Sequence, residues 1–263
     1  MGRIPRWPRR FVVARRVGFA LLAAGLLLGG FVAYQLWGTG FFARHAQADL
    51  RIELEERAAA AAPAVVPYEP DESRVMSPII PPAGLPDPAE IDVDAALAAA
   101  GLPPAASAEG RTGLLAEEPP PDGEAMGRLR IPAIGVDWTV VEGVGAADLR
   151  RGAGHLPATA LPGQPGNAVI SGHRTTYGAP FYHLDQLVPG DLIMVTTVTG
   201  THVYQVVQAL VVRPAEIWVT EQWQGSWLTL TTCHPRFSSR ERLVVVARLV
   251  GGPNAAVLVE GAA

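Results

Sequence analysis

Trp227-Leu228-Thr229-Leu230-Thr231-Thr232-Cys233-His234-Pro235 is followed, nine residues after the cysteine, by Arg242 and the run Leu243-Val244-Val245-Val246-Ala247. Leu228 to Thr232 alternate apolar and polar among β-formers, the pattern of a half-buried strand, and Val244 to Val246 mark a second strand. Their short separation predicts a hairpin. In the period-two geometry of a strand, Thr229, Thr231 and Cys233 share the face opposite the leucines, with Cys233 at its end and His234 turned the other way. Arg242 opens the returning strand, so local geometry alone brings a guanidinium beside the thiol. A thiol near a fixed positive charge is favoured as thiolate, the nucleophilic form.

Cys233 is the only cysteine among 263 residues, and a lone cysteine is more often a small buried hydrophobe than a catalyst. A second cluster changes that balance. Ala168-Val169-Ile170-Ser171-Gly172-His173-Arg174-Thr175-Thr176-Tyr177-Gly178 reads as a strand ending at a Gly-His pair and then a polar loop. A histidine and the chain's one thiol, each at a strand end, make the nucleophile and base pairing that acyl transfer needs.

These residues carry a family resemblance. Thr231-Thr232-Cys233 with Arg242 downstream, and Ser171-Gly172-His173 upstream, resemble the active-site motifs of the sortases, the cysteine transpeptidases of Gram-positive surfaces. The longer strings, from Ile170 to Phe181 and from Leu230 to Pro235, are most similar to the class E sortases of actinobacteria. The resemblance covers about Met126 to Gly251. It implies Cys233 as nucleophile, His173 as general acid/base, and Arg242 as the arginine that steadies the substrate carbonyl. It further implies Thr232 and Tyr177 beside the substrate, an all-β fold closed as a barrel of about eight strands, and no cofactor. Expected partners are sorting-signal peptides of secreted surface proteins, of the form Leu-Ala-x-Thr-Gly or Leu-Pro-x-Thr-Gly, and a peptidoglycan precursor or other cell-wall amine as acceptor.

Outward from these motifs, the domain is expected from Met126 to Gly252. Residues 127–136 and 138–141 read as two strands, 148–154 as a helical turn, 157–167 as a turn-rich loop, and 181–187 as a short helix. Leu192 to Thr197 and His202 to Val212 flank Thr199-Gly200 as a hairpin. Many short strands with stub helices argue a closed barrel rather than a parallel sheet. His202, beside a turn, is read as a surface residue, His155 as a loop residue and His183 as part of a helical stub. Trp218, Trp223 and Trp227 are expected in the core or in a groove wall. No His, Asp or Glu cluster has zinc or calcium spacing, so no metal is expected.

The N-terminal half has a different character. Residues 1–16 hold six arginines, and from Val17 to Trp37 there is no charge. A helix needs about 20 apolar residues to cross a bilayer, and this run supplies them. By the positive-inside rule the arginines keep the N-terminus cytoplasmic and send the rest outside, giving a single-pass cell-membrane protein with an extracytoplasmic catalytic domain. A cleaved signal peptide is the rival reading, because Ala46-Gln47-Ala48 resembles a cleavage site. Against it, the apolar run exceeds the usual h-region of about 7–15 residues.

Residues 38–62 read as a juxtamembrane helical stalk. The Pro-, Ala- and acid-rich residues 63–125 read as a linker that could stand the domain off the membrane, with one short helix near 89–100. Residues 253–263 form a C-terminal tail. The net charge of −4 and the lack of a basic stripe beyond the N-terminus give no reason to expect nucleic acid. A pilin-polymerising sortase, a cysteine hydrolase of the same fold and an inactive binding module remain as alternative readings.

Overall fold

The computed structural model describes residues 9–34, 38–104 and 113–259. Parts of the basic segment (1–8), the anchor (35–37), the linker (105–112) and the tail (260–263) lie outside the described residues.

Among the described residues, ten strands form two sheets. β1 (Ala64–Pro67) and β2 (Gly113–Ala116) make a two-stranded antiparallel ribbon. The other eight are β3 (Ala125–Ile131), β4 (Val136–Glu142), β5 (Ala153–His155), β6 (Gly166–Ser171), β7 (Leu192–Thr197), β8 (Gly200–Val212), β9 (Ser226–His234) and β10 (Glu241–Gly251). They close into one barrel in the order β10-β8-β7-β3-β4-β5-β6-β9. Closure removes the exposed edges that an open sheet would present. Two pairings are parallel, β4 with β5 and β6 with β9; the rest are antiparallel.

The alternation expected for the cysteine strand is present. Leu228 and Leu230 are fully buried in the principal core with Ile170, Val245, Ala247, Phe181 and Tyr204. Opposite them, Val244 and Val246 of β10 join Val207, Val219 and Trp223 in a second cluster on the outer side of the barrel. Trp218 and Trp227 pack against that cluster, so the tryptophans are packing residues.

The helices are α1 (Arg9–Ala33), α2 (Thr39–Ala60), α3 (Val93–Ala99), α4 (Ala146–Arg151) and α5 (Ala255–Val259). Within α1, Val13–Ala33 has a mean hydropathy of 1.9 and none of it is buried, which is compatible with a single membrane span. It is the one such helix among the described residues.

Three expectations need correcting. The 63–125 stretch is not a free linker where it is described. Its β1–β2 ribbon is paired, Ile79 is buried in the outer cluster, Val75 bridges to Trp223, and Leu97 of α3 is buried against Met194, Val203 and Val250. Few apolar residues suffice because the segment covers a barrel that already exists and does not build a core of its own. His155 lies in β5, not a loop, and is buried: Nδ1 meets Glu142 Oε2 at 2.8 Å while Nε2 reaches Ala160 O at 2.9 Å. His202 is not on the surface but wholly buried, with Nε2 2.9 Å from Thr199 Oγ1, because its ring fills the space over Gly163 and Gly252. A strand beside a turn can still point inward; the alternation, not the distance to the turn, decides.

Candidate active site

β6 and β9 run parallel and in constant register, from Gly166 opposite Ser226 to Ser171 opposite Thr231. The pairing continues past the last ladder residues, since Gly172 N–H donates to Thr231 O (3.1 Å) and Thr232 Oγ1 donates to Gly172 O (2.7 Å). His173 therefore follows β6 by two residues at the level of Cys233, which is still within β9, two residues beyond Thr231, the partner of Ser171; neighbouring strands lie about 4.8 Å apart. On the other side of β9, Arg242 of β10 is the cross-strand partner of Cys233. The three residues singled out in the sequence thus line one rim of the barrel, His173 just past the end of β6, Cys233 on β9 and Arg242 on β10.

Gly172 has a steric reason. A Cβ there would lie 2.7 Å from Phe181 Cδ2, and Phe181 is fully buried. The Phe181 amide also donates to His173 O at 3.3 Å, closing the loop between them. The histidine thus sits at the neck of a closed loop whose far end is plugged into the core.

His173 is partly exposed, as Cys233 is. Its imidazole packs against Tyr177, ring centroids 4.9 Å apart and tilted by 39°. Arg150 of α4 lies over the other part of that tyrosine, 5.9 Å from its centroid. Burial, and then the positive charge of Arg150, push the His173 pKa below the ordinary histidine value of 6.5. Tyr177, expected beside the substrate, is a wall of the histidine itself.

Thr232 differs from its expected role. It is buried and its hydroxyl proton is committed to Gly172 O, so it ties the ends of β6 and β9 together and has no donor left for a substrate. Arg242 has its Nη1 turned to the carbonyls of Ser239 and Glu241, both at 3.0 Å. In this conformation the partly exposed arginine rests on the β9–β10 turn.

Sequence reading missed a brace beneath the site. Asp185 holds Arg174 from the histidine loop (Nη2 at 2.9 Å) and Arg236 from the turn after Cys233 (2.9 Å). Both arginines also donate to Tyr182 O, at 2.9 and 3.3 Å. One carboxylate and one carbonyl therefore hold the loop after His173 and the turn after Cys233 to a common point. Nothing in the spacing of 174, 185 and 236 reveals this.

The sequence profile described as "Sortase domain" matches residues 129–250, the barrel with all three rim residues. The chain belongs to the sortase family. Over 138 residues this sortase is 35% identical to Sortase SrtE1 of Streptomyces coelicolor, covering 46% of the chain and 39% of that relative. It is 34% identical over 108 residues to Sortase D of Bacillus subtilis, covering 41% of the chain and 53% of the relative. The chain thus spans between two-fifths and just over half the length of these two relatives. Among solved structures, sortase E1 from S. coelicolor with a tripeptide in its active site is 33% identical, over 49% of this chain and 90% of that one, with a TM-score of 0.47.

Proposed function

We propose that this sortase is a membrane-anchored cysteine transpeptidase that cleaves a C-terminal sorting signal between Thr and Gly and joins the released threonine carbonyl to a cell-wall amine. The observation that carries this reading is the placement of His173 just past the end of β6 and of Cys233 on the neighbouring parallel strand β9, with Arg242 across from the thiol.

The Cys233 thiolate adds to the carbonyl carbon of the scissile Thr–Gly bond. Negative charge collects on the carbonyl oxygen, where the Arg242 guanidinium acts as a fixed cationic donor. Collapse breaks the C–N bond only if the departing amine is protonated, so His173 as imidazolium gives it a proton and becomes neutral. A thioester on Cys233 remains. The incoming amine attacks that carbonyl, His173 takes back one proton, and the thiolate leaves as a new amide forms.

An unperturbed thiol titrates near 8.5 and an unperturbed imidazole near 6.5, and His173 is displaced further downward. The reaction needs thiolate and imidazolium together, so a bell-shaped pH profile is expected, and the lowered His173 pKa limits the imidazolium share at neutral pH. The arginines before the apolar span favour a cytoplasmic N-terminus and an extracytoplasmic barrel. Signals of the Leu-Ala-x-Thr-Gly form are the first choice of substrate, on the resemblance to class E members.

The test is full-length protein in detergent micelles with Leu-Ala-x-Thr-Gly and Leu-Pro-x-Thr-Gly peptides, with and without a glycine- or diaminopimelate-type amine, followed by mass spectrometry. Joined product that disappears in Cys233→Ala supports the reading. Cleavage without joining in the presence of amine indicates a hydrolase, and no thioester with either peptide refutes the assignment.

A further inference from the structure

α2 is not a free stalk. Thr39 Oγ1 accepts from the Tyr177 amide at 3.2 Å, and Gly178 is packed so closely that a Cβ on it would lie 2.3 Å from the Trp138 ring and 3.4 Å from Ala43. One turn further on, the carboxamide of Gln47 pairs with both backbone groups of Thr139, at 2.7 and 2.9 Å. Leu50 is fully buried against Ala125 and Val141, Glu53 accepts from the Ala125 amide at 2.8 Å, and Arg57 donates to Met126 O at 3.2 Å. Contacts therefore run from the first residue of α2 to its last turn, and its beginning lies against the loop that carries His173.

The apolar span ends at Ala33, six residues before Thr39. A chain extends by at most about 3.6 Å per residue, so Thr39 lies within about 22 Å of the end of the span. The long 63–125 stretch comes after α2 and cannot add to that distance. Phe41 and Phe42, just beyond the span, are 53% and 60% exposed. Aromatic rings at such positions settle in the headgroup layer. Beside them a cavity of about 260 Å³ is lined by Gly40, Arg44, Thr175, Thr176 and Gly178. Arg44 makes no ion pair among the described residues. A guanidinium with two threonines at its side suits the phosphodiester of a lipid headgroup, and a cation there is attracted to an anionic surface.

We propose that the face made by the start of α2 and residues 175–179 rests on the phospholipid headgroups, so that the His173–Cys233 rim operates at the bilayer surface. This rests on the membrane-span reading, and the experiment separates the two. The full chain, with Cys233→Ala, carries a single new cysteine at Thr176 or at Met76. Met76 is exposed and lines the cavity at the start of β9, with Gln224 and Ser226, at the opposite end of that strand from Cys233. Each is labelled with a small fluorophore and reconstituted in phosphatidylglycerol-containing vesicles that bear headgroup nitroxides.

The expected result is flotation of both proteins with the vesicles and a Thr176 quenching constant about threefold or more above that of Met76, since the short-range quencher lies in the headgroup layer only. Arg44→Gln should lower the Thr176 value while flotation persists. Flotation with equal quenching at the two sites overturns the docking proposal and leaves the span in place. Protein that stays with the soluble fraction overturns the span reading, and the proposal falls with it.

Discussion

His173 lies two residues past Ser171, the end of β6, and Cys233 lies two residues past Thr231, the partner of Ser171 on the parallel strand β9. Groups placed this way act as a unit, and losses from removing members of a unit do not add. Cys233→Ala and His173→Gln should each reduce joined product by about 10³-fold or more, and the double variant should be no worse than the Cys233 variant. Single-turnover mass spectrometry checks this; multiplicative losses would show that the two residues act independently.

Arg150 touches the site only through Tyr177, yet its charge works against protonation of His173. On the proposed mechanism, which needs imidazolium with thiolate, relieving that repulsion enlarges the competent fraction. Arg150→Met is expected to move the acid limb of kcat/KM to higher pH and to raise the peak about two- to fivefold, the size of one solvent-screened charge interaction. An unmoved acid limb would mean that Arg150 does not reach His173 electrostatically.

Asp185→Asn removes the charge shared by Arg174 and Arg236. Arg174 is only 2% exposed and would be left without its carboxylate, whereas Asp185 is 37% exposed and water can partly replace it. The expected stability loss is about 1–3 kcal/mol, below that of a fully buried pair. The loop after His173 and the turn after Cys233 loosen together, so on the proposed mechanism kcat should fall while KM for the peptide changes little. Urea denaturation and steady-state kinetics measure the two effects.

Burial lowers the His202 pKa to about 4 from the ordinary 6.5. The folded protein then binds fewer protons than the unfolded chain between those values, so stability is lost as pH falls from 6.5 to 4 and is retained above 6.5. The loss is roughly 3 kcal/mol for this residue. Denaturation midpoints measured across that range should drop with acid, and His202→Asn should flatten the slope.

Gln47 satisfies both backbone groups of Thr139 within a buried contact. Gln47→Ala leaves a buried donor and acceptor unpaired, a cost of about 1–3 kcal/mol, and thermal unfolding should record it. A protein begun at Met126 would lack this contact, Leu50 and the Glu53 cap on Ala125 together, and should be markedly less stable than the full chain.

What the sequence determined by itself is local. Alternation of Leu228, Leu230 and the threonines assigned the strand and its core face, the short link to Arg242 assigned the hairpin, and hydropathy assigned the apolar span, because each depends on neighbours along the chain. Cys233, His173 and Arg242 were singled out by their motif strings. Only the tertiary structure decided the rest. The parallel register of β6 and β9, the burial of His202 and the commitment of Thr232 to Gly172 depend on which strands meet. The brace at Asp185 joins residues 11 and 51 positions away. The 63–125 stretch reads as a linker because its composition cannot build a core, yet it needs none when a finished barrel offers one. The docking of α2 on the Tyr177 loop has the same origin: a hydroxyl, two glycines and a carboxamide meet across about a hundred residues, and no periodicity in the chain records that encounter.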